Sequence, residues 1–266
     1  GSVVLRVLCG TESRPETLQA PIIVAFIISC LVAMAFGAFN GTLVAYFKIQ
    51  PMVATLILFT AGRSIAAWIN NNELPIVSDV TFSYFGGFLP GIPIPTSFFI
   101  ALACMIATAL IFKFTSLGLY IQSVGINENS ARLNGLNPAF IKFITYVILG
   151  LFVAVAGFIK VSRLSTINYS VVAKDIEMDA ILAVALGGNA LSGGKFNISA
   201  SVIGAYVIQF LTTTLYKLEV SSDALSAYKA IVVIVLVVMS APIVREKLAA
   251  LMKIIKTKFA AAKSAT

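Results

Sequence analysis

No histidine occurs in the 266-residue chain, tryptophan occurs once, and only 11% of the residues are charged. Each shortage removes a class of function. Without histidine there is no imidazole to serve as a general base near neutral pH or to ligate a metal. Cys9, Cys30 and Cys104 are odd in number and lack metal-ligand spacing, so they read as structural thiols. No glycine-rich loop leads into Lys-Ser or Lys-Thr, which argues against a phosphate-cradling nucleotide site. Asp175, Glu177 and Asp179 come nearest to a cation cluster, and their position at a helix start fits capping and solvation equally well. The sequence therefore predicts no enzyme, no cofactor and no metal. A soluble domain of this length would also need roughly a quarter of its residues charged to cover its surface.

What the chain has instead is apolar length. It is 59% hydrophobic, with a mean hydropathy of +0.98. Runs such as Pro21–Phe36, Phe98–Phe112, Phe140–Ile159 and Ile231–Val244 span or nearly span about 30 Å of hydrocarbon as helices. They are too long for strands and lack two-residue alternation. The predicted fold is an all-α polytopic membrane bundle with roughly six full spans and one or two discontinuous helices, residues 1–266 forming one transmembrane domain.

The net charge of +8 is unevenly placed. Arg245, Lys247, Lys253, Lys256, Lys258 and Lys263 crowd residues 245–266 against the single acid Glu246. This reads as a basic cytoplasmic tail, lying on anionic lipid through Leu248, Met252 and Ile255, and not as a nucleic-acid site. Counting spans back from it puts 193–197, 117–138 and the turn at Lys48–Pro51 inside, and 70–95, Lys160 and 217–226 outside. Lys48, Lys113, Arg132, Lys142 and Lys195 then fall on the inner side, as the excess of basic residues there requires.

Two segments depart from simple spans. Asp179–Gly188 is a helix of about three turns running into Gly187-Gly188-Asn189-Ala190-Leu191-Ser192-Gly193-Gly194. A break of this kind inside a bilayer has to be buried in protein or line a wet cavity. Gly187, Gly188, Gly193 and Gly194 are its predicted hinge. Met52–Trp68, with Gly62 and Arg63, is expected to be kinked or partly buried. The proline- and glycine-rich stretch 70–95 reads as an ordered cap with a short helix at 80–85 whose Phe82, Tyr84 and Phe85 meet the interface.

Residues 117–138 form a polar inner loop with a short helix from Asn129 to Leu133, capped by Asn127 or Asn129 and stopped at Asn134-Gly135. A helix this short is marginal alone, so it needs something to dock on. Here the chain resembles the permease subunits of bacterial ATP-binding-cassette importers for monosaccharides, of the ribose, xylose and galactofuranose type. The resembling residues are Asn40-Gly41 with Leu43-Val44-Ala45-Tyr46, Pro51 through Arg63, and Gly125-x-Asn127-x-x-x-Ala131-Arg132-Leu133-x-Gly135. They continue with Arg163-Leu164, Glu177-x-Asp179-Ala180-Ile181-x-Ala183 and Gly187-Gly188-x-x-Leu191-x-Gly193-Gly194.

The resemblance implies inward sugar transport at the bacterial inner membrane. It implies an ATP-binding-cassette subunit that hydrolyses ATP, a periplasmic or lipoprotein solute-binding protein, and a second permease subunit as homo- or heterodimer. Asn127, Glu128, Arg132, Asn134, Gly135 and Asn137 then become the coupling residues for the ATPase. Asn40, Thr55, Thr60, Asn189 and Ser192 become candidate lining for a sugar pathway, because a polyhydroxylated solute needs a partner for each buried hydroxyl. The same side chains also suit backbone bonding and helix packing. Family permeases carry further spans before this point, so the sequence reads as N-terminally incomplete; a fragment, a divergent copy and a permease completed by other spans all fit. A related importer for branched-chain amino acids or nucleosides is the nearest alternative, followed by a non-transporting structural membrane protein. Cysteine labelling tests the predicted orientation: Ser130→Cys should react only with inside reagent and Ser221→Cys only with outside reagent, and the reverse pattern would invert it.

Overall fold

A computed structural model of the chain describes residues 1–9, 20–77, 79–88, 91, 93–166, 168, 172–173, 176–189, 193–194, 196–218, 227–228 and 230–231. The chain divides into two compact units, Gly1–Lys174 and Asp175–Thr266. In the first, the helices are α1 (Ser2–Cys9), α2 (Ile22–Ala45), α3 (Pro51–Ile69), α4 (Val80–Ser83), α5 (Thr96–Phe114), α6 (Ser116–Ile126), α7 (Glu128–Leu133) and α8 (Pro138–Leu164). The second holds α9 (Ile176–Leu186) and α10 (Ile198–Lys217). Among the described residues there is no strand beyond an isolated bridge between Phe88 and Pro95. Helices α2, α3, α5, α8 and α10 are each long and apolar enough to cross a membrane. The protein is an all-α, multi-pass membrane protein. The predicted span at 231–244 and the basic tail at 245–266 fall almost wholly outside the described residues.

The first unit is organised on α2 and α8. They run antiparallel: Phe26, near the start of α2, packs edge-on against Phe158 near the end of α8, with ring centroids 5.1 Å apart. At the other end Tyr46 meets Phe143 at 6.2 Å. Between these pairs the backbones touch. A Cβ on Gly150 would lie 2.5 Å from the Ala33 carbonyl oxygen, and one on Gly37 would collide with the Tyr146 carbonyl. Glycine is required at both points because lipid offers helices no hydrophobic gain on association, leaving close van der Waals packing to hold them.

At the α8 C-terminal end an apolar core forms from Val4, Leu5, Leu8 and Cys9 of α1, Ala25 of α2, and Val77, Phe82, Phe158 and Val161. Phe158 is ringed by Phe26, Phe82 and Phe85. The buried Ser162 hydroxyl donates to the Phe82 carbonyl at 2.5 Å and accepts from the Gly86 N–H at 2.7 Å. Val77 N–H bonds the Ser165 carbonyl at 2.9 Å. Val77, Phe82 and Gly86 of the cap are thereby seated on the end of α8. Phe82, expected to meet the interface, is instead fully buried, because edge-to-face packing against Phe158 gives its ring an apolar partner on the protein.

Two further expectations are revised. Helix α3 is continuous through Gly62 and Arg63, with Ala54 its one buried residue. Arg63 places its guanidinium 4.6 Å from the Phe59 ring centroid, one turn earlier on the helix. The inner loop also contains more structure than one short helix, since α6 precedes α7. Leu117, Ile121 and Val124 recur at helical spacing, a signal masked by the neighbouring Gly118, Gln122 and Ser123. Gly150→Val should lower stability by about 1–3 kcal/mol through overpacking. Gly62→Ala, where an added Cβ meets nothing within 4 Å, should be neutral or add up to about 1 kcal/mol. Thermal melting of the detergent-solubilised protein reads both, and equal effects would refute the seam as the critical contact.

Candidate coupling helix and helix break

Asparagine side chains set the geometry of the polar segment between α6 and α8. Asn127 adopts an extended backbone at the N-terminus of α7, and its Oδ1 accepts from the Ser130 N–H at 3.0 Å. Of the two caps open in sequence, Asn127 is the one used. Asn134 closes α7 by donating from Nδ2 to the Ser130 carbonyl at 2.9 Å. Gly135 follows at φ +80°, a conformation that penalises any Cβ. Leu136 N–H then returns to the Ala131 carbonyl at 3.1 Å. Asn137 opens α8 by accepting from the Phe140 N–H at 3.2 Å, with Pro138 in the first turn.

Helix α7 docks through one residue and presents the others. Ala131 is buried with Val124 and Ile141, with Ile121 and Leu136 packed alongside. Glu128 bridges to Lys142 of α8 at 2.6 Å. Glu128 is exposed and Lys142 partly so, and such a pair contributes about 0–1 kcal/mol and mainly fixes orientation. Arg132 is exposed, and Leu133 is 89% exposed. The outer face of α7 therefore offers a guanidinium beside a bare leucine. Behind it lies a cavity of about 660 Å³, bounded by the end of α2, the α2–α3 turn, α7 and the start of α8. Lys48 and Gln50 share this lining with Glu128, Arg132, Asn137 and Lys142. The two inner segments predicted from charge thus meet at one end of the α2–α8 pair, opposite the α1 and Phe82 core.

The second unit holds the helix break. α9 and α10 pack as an antiparallel pair: a Cβ on Gly187 would stand 2.7 Å from the Ala200 carbonyl oxygen, and one on Gly204 would strike the Ala183 carbonyl. Asn189 closes the turn. Its Oδ1 accepts from the Asn197 N–H at 2.6 Å, and its Nδ2 donates to the Asn197 carbonyl at 3.1 Å and the Ser201 hydroxyl at 2.6 Å. Asn197 in turn caps α10 by accepting from the Ala200 N–H at 3.3 Å. Gly188, Gly193 and Gly194 have positive φ. Ser192 and Leu191 lie outside the described residues. Glu177 and Asp179 occupy the first turn of α9, where carboxylates favour the helix dipole; Asp175 is outside the described residues.

The remaining pathway candidates are dispersed. Thr55 and Thr60 lie on the exposed surface of α3, and each hydroxyl donates to its own helix: Thr55 to Pro51 at 2.9 Å and Thr60 to Ile57 at 2.9 Å. Asn40 is buried on α2, one turn from Gly37 and beside Gly41. Its Oδ1 has no hydrogen-bond partner among the described residues.

The family described as "Branched-chain amino acid transport system / permease component" matches residues 3–241. The chain belongs to this family. Among curated relatives, this permease chain is 37% identical over 223 residues to the fructose import permease protein of Bifidobacterium longum (strain NCC 2705), covering 82% of the chain and 62% of the relative. It is 40% identical to the galactofuranose transporter permease protein of Escherichia coli (strain K12), covering 77% and 60%. The ribose import permease protein of the same strain is 35% identical, covering 83% and 69%. The permease chain thus spans about three fifths of the length of the first two relatives. No solved structure matches it. Asn189→Ala should cost about 0.5–1.5 kcal/mol by removing its hydrogen bonds to Asn197 and Ser201. Hydrogen exchange should accelerate at residues 197–201; unchanged protection there would refute the staple.

Proposed function

We propose that the chain is the membrane-spanning permease subunit of an ATP-driven, binding-protein-dependent monosaccharide importer of the bacterial inner membrane, its C-terminus cytoplasmic. The observation that carries this reading is the likeness to fructose, galactofuranose and ribose permeases along most of the chain. ATP hydrolysis resides on a separate ATP-binding-cassette subunit, a solute-binding protein delivers the sugar, and a second permease subunit completes the pathway.

Asn127, Glu128, Arg132, Asn134, Gly135 and Asn137 then have distinct duties. The three asparagines and Gly135 hold α7 in one orientation, Glu128 ties it to α8, and Arg132 with Leu133 engages the ATPase subunit. A rigidly held α7 converts movement of that subunit into movement of α8, since Ala131 packs on Ile141. The solute passes beside the helix breaks. Asn40, Thr55, Thr60 and Ser192 offer uncharged hydrogen-bonding groups, and Asn189 maintains the Gly187–Gly194 turn. Uncharged donors and acceptors suit passage, because each exchanges with a sugar hydroxyl at small net cost.

A second reading, import of a branched-chain amino acid, is favoured by the description of the matching family. Reconstitution of the gene product with its ATPase and binding protein separates the two. Labelled ribose, galactofuranose or fructose should accumulate only with ATP. Arg132→Ala or Gly135→Val should reduce uptake at least about tenfold, a loss of about 1.4 kcal/mol in coupling, while leaving the permease in the membrane. Uptake without ATP, or of leucine alone, would overturn the sugar assignment.

A further inference from the structure

The cavity behind α7 has a charge and a location that docking of an ATPase through the outer face of α7 uses only in part, since Arg132 borders both. Lys48, Arg132 and Lys142 line it, against one carboxylate, Glu128. Glu128 is already paired with Lys142. Among the described residues, Lys48 and Arg132 therefore face the cavity with no acidic partner. The first turns of α3 and α8 also line it, at Gln50-Pro51 and Asn137-Pro138. Gln50 makes no side-chain hydrogen bond at the α3 N-terminus. Helix N-termini carry partial positive charge, so the backbone adds to the field of the two cations.

The position of the cavity selects among anions. It sits where α2 ends and α3 and α8 begin, at the ends of three helices long and apolar enough to cross a membrane. Residues adjoining its lining in sequence are bare and apolar: Phe47 next to Lys48, Met52 next to Pro51, and Phe140 next to Ala139. Met52, Leu56 and Phe59 continue from this end along α3 at positions i, i+4 and i+7, all exposed. Exposed apolar side chains thus adjoin the lining of the cationic recess.

We infer that this recess binds the phosphodiester headgroup of an anionic phospholipid, with Lys48 and Arg132 holding the phosphate and an acyl chain lying along the Met52, Leu56 and Phe59 face of α3. Basic pockets between span ends are suited to such headgroups. The bound lipid would brace the α2–α3 turn against α7. The inference rests on the permease reading only in placing the recess at a membrane surface; it needs neither sugar nor ATP.

Native mass spectrometry of the full chain, delipidated in detergent without any ATPase subunit, tests it. Dioleoyl phosphatidylglycerol should bind more tightly than dioleoyl phosphatidylcholine. Lys48→Gln and Arg132→Gln should each weaken phosphatidylglycerol about fivefold, and Lys48→Glu more. Lys113→Gln, a cation outside the recess, should leave binding unchanged, and all variants should melt within a few degrees of the wild type. Equal binding of the two lipids, or phosphatidylglycerol binding indifferent to Lys48 and Arg132, would overturn the assignment. So would displacement of the lipid by millimolar inorganic phosphate, which would make the ligand a free anion. Loss of ATPase-subunit co-purification in Lys48→Glu with phosphatidylglycerol binding intact would assign the recess to that subunit instead. A failure of sugar uptake would leave this result standing.

Discussion

The close approach of α2 to α8 is the contact on which the first unit depends. In lipid, an apolar side chain gains nothing by facing another helix, so shape decides which helices stay together. Gly37 and Gly150 remove the two Cβ atoms that would hold the backbones apart, and aromatic pairs close the seam at each end. Because the helices are antiparallel and 24 and 27 residues long, the seam also fixes two distant assemblies. One is the core of α1, Val77 and Phe82; the other is the recess framed by Lys48 and α7.

Much of the polar work at the helix ends falls to asparagine. Asn127, Asn137 and Asn197 each cap a helix with their own Oδ1, while Asn189 spans the turn between α9 and α10. Where a span meets the membrane boundary, an unpaired N–H is expensive and water is not guaranteed. A short neutral side chain supplies the acceptor without adding a charge that would have to be buried. For α7 the result is an element of six residues held at both ends, with Arg132 and Leu133 exposed.

Much of this was legible in the residues. The spans α2, α5, α8 and α10 follow from apolar runs closed by Pro, Asn or Lys, and the α7 stop follows from Asn134-Gly135. Other features were not. Helix α6 was hidden because a half-polar stretch has no long apolar run, although Leu117, Ile121 and Val124 repeat at helical spacing. Phe82 looked like an interfacial aromatic because sequence records amphipathy and not the partner; Phe158, some seventy-six positions away, buries it. The candidate solute residues were chosen for hydrogen-bonding capacity, and only the fold distinguishes Thr55 and Thr60, which bond their own helix, from Asn189, which ties two helix ends together.

Composition alone determined that this chain lives in a membrane, because an 11% charged, 59% hydrophobic polymer has no soluble surface to present and must satisfy its backbone in helices. Local chemistry alone determined where those helices start and stop, because caps and glycine turns act within a few residues. Which helices touch, and therefore that Lys48 and Arg132 border one recess, was decided only by tertiary structure. Helix pairing in lipid depends on the fit of two surfaces across more than a hundred positions of chain, as between Gly37 and Tyr146, and no local pattern encodes the partner.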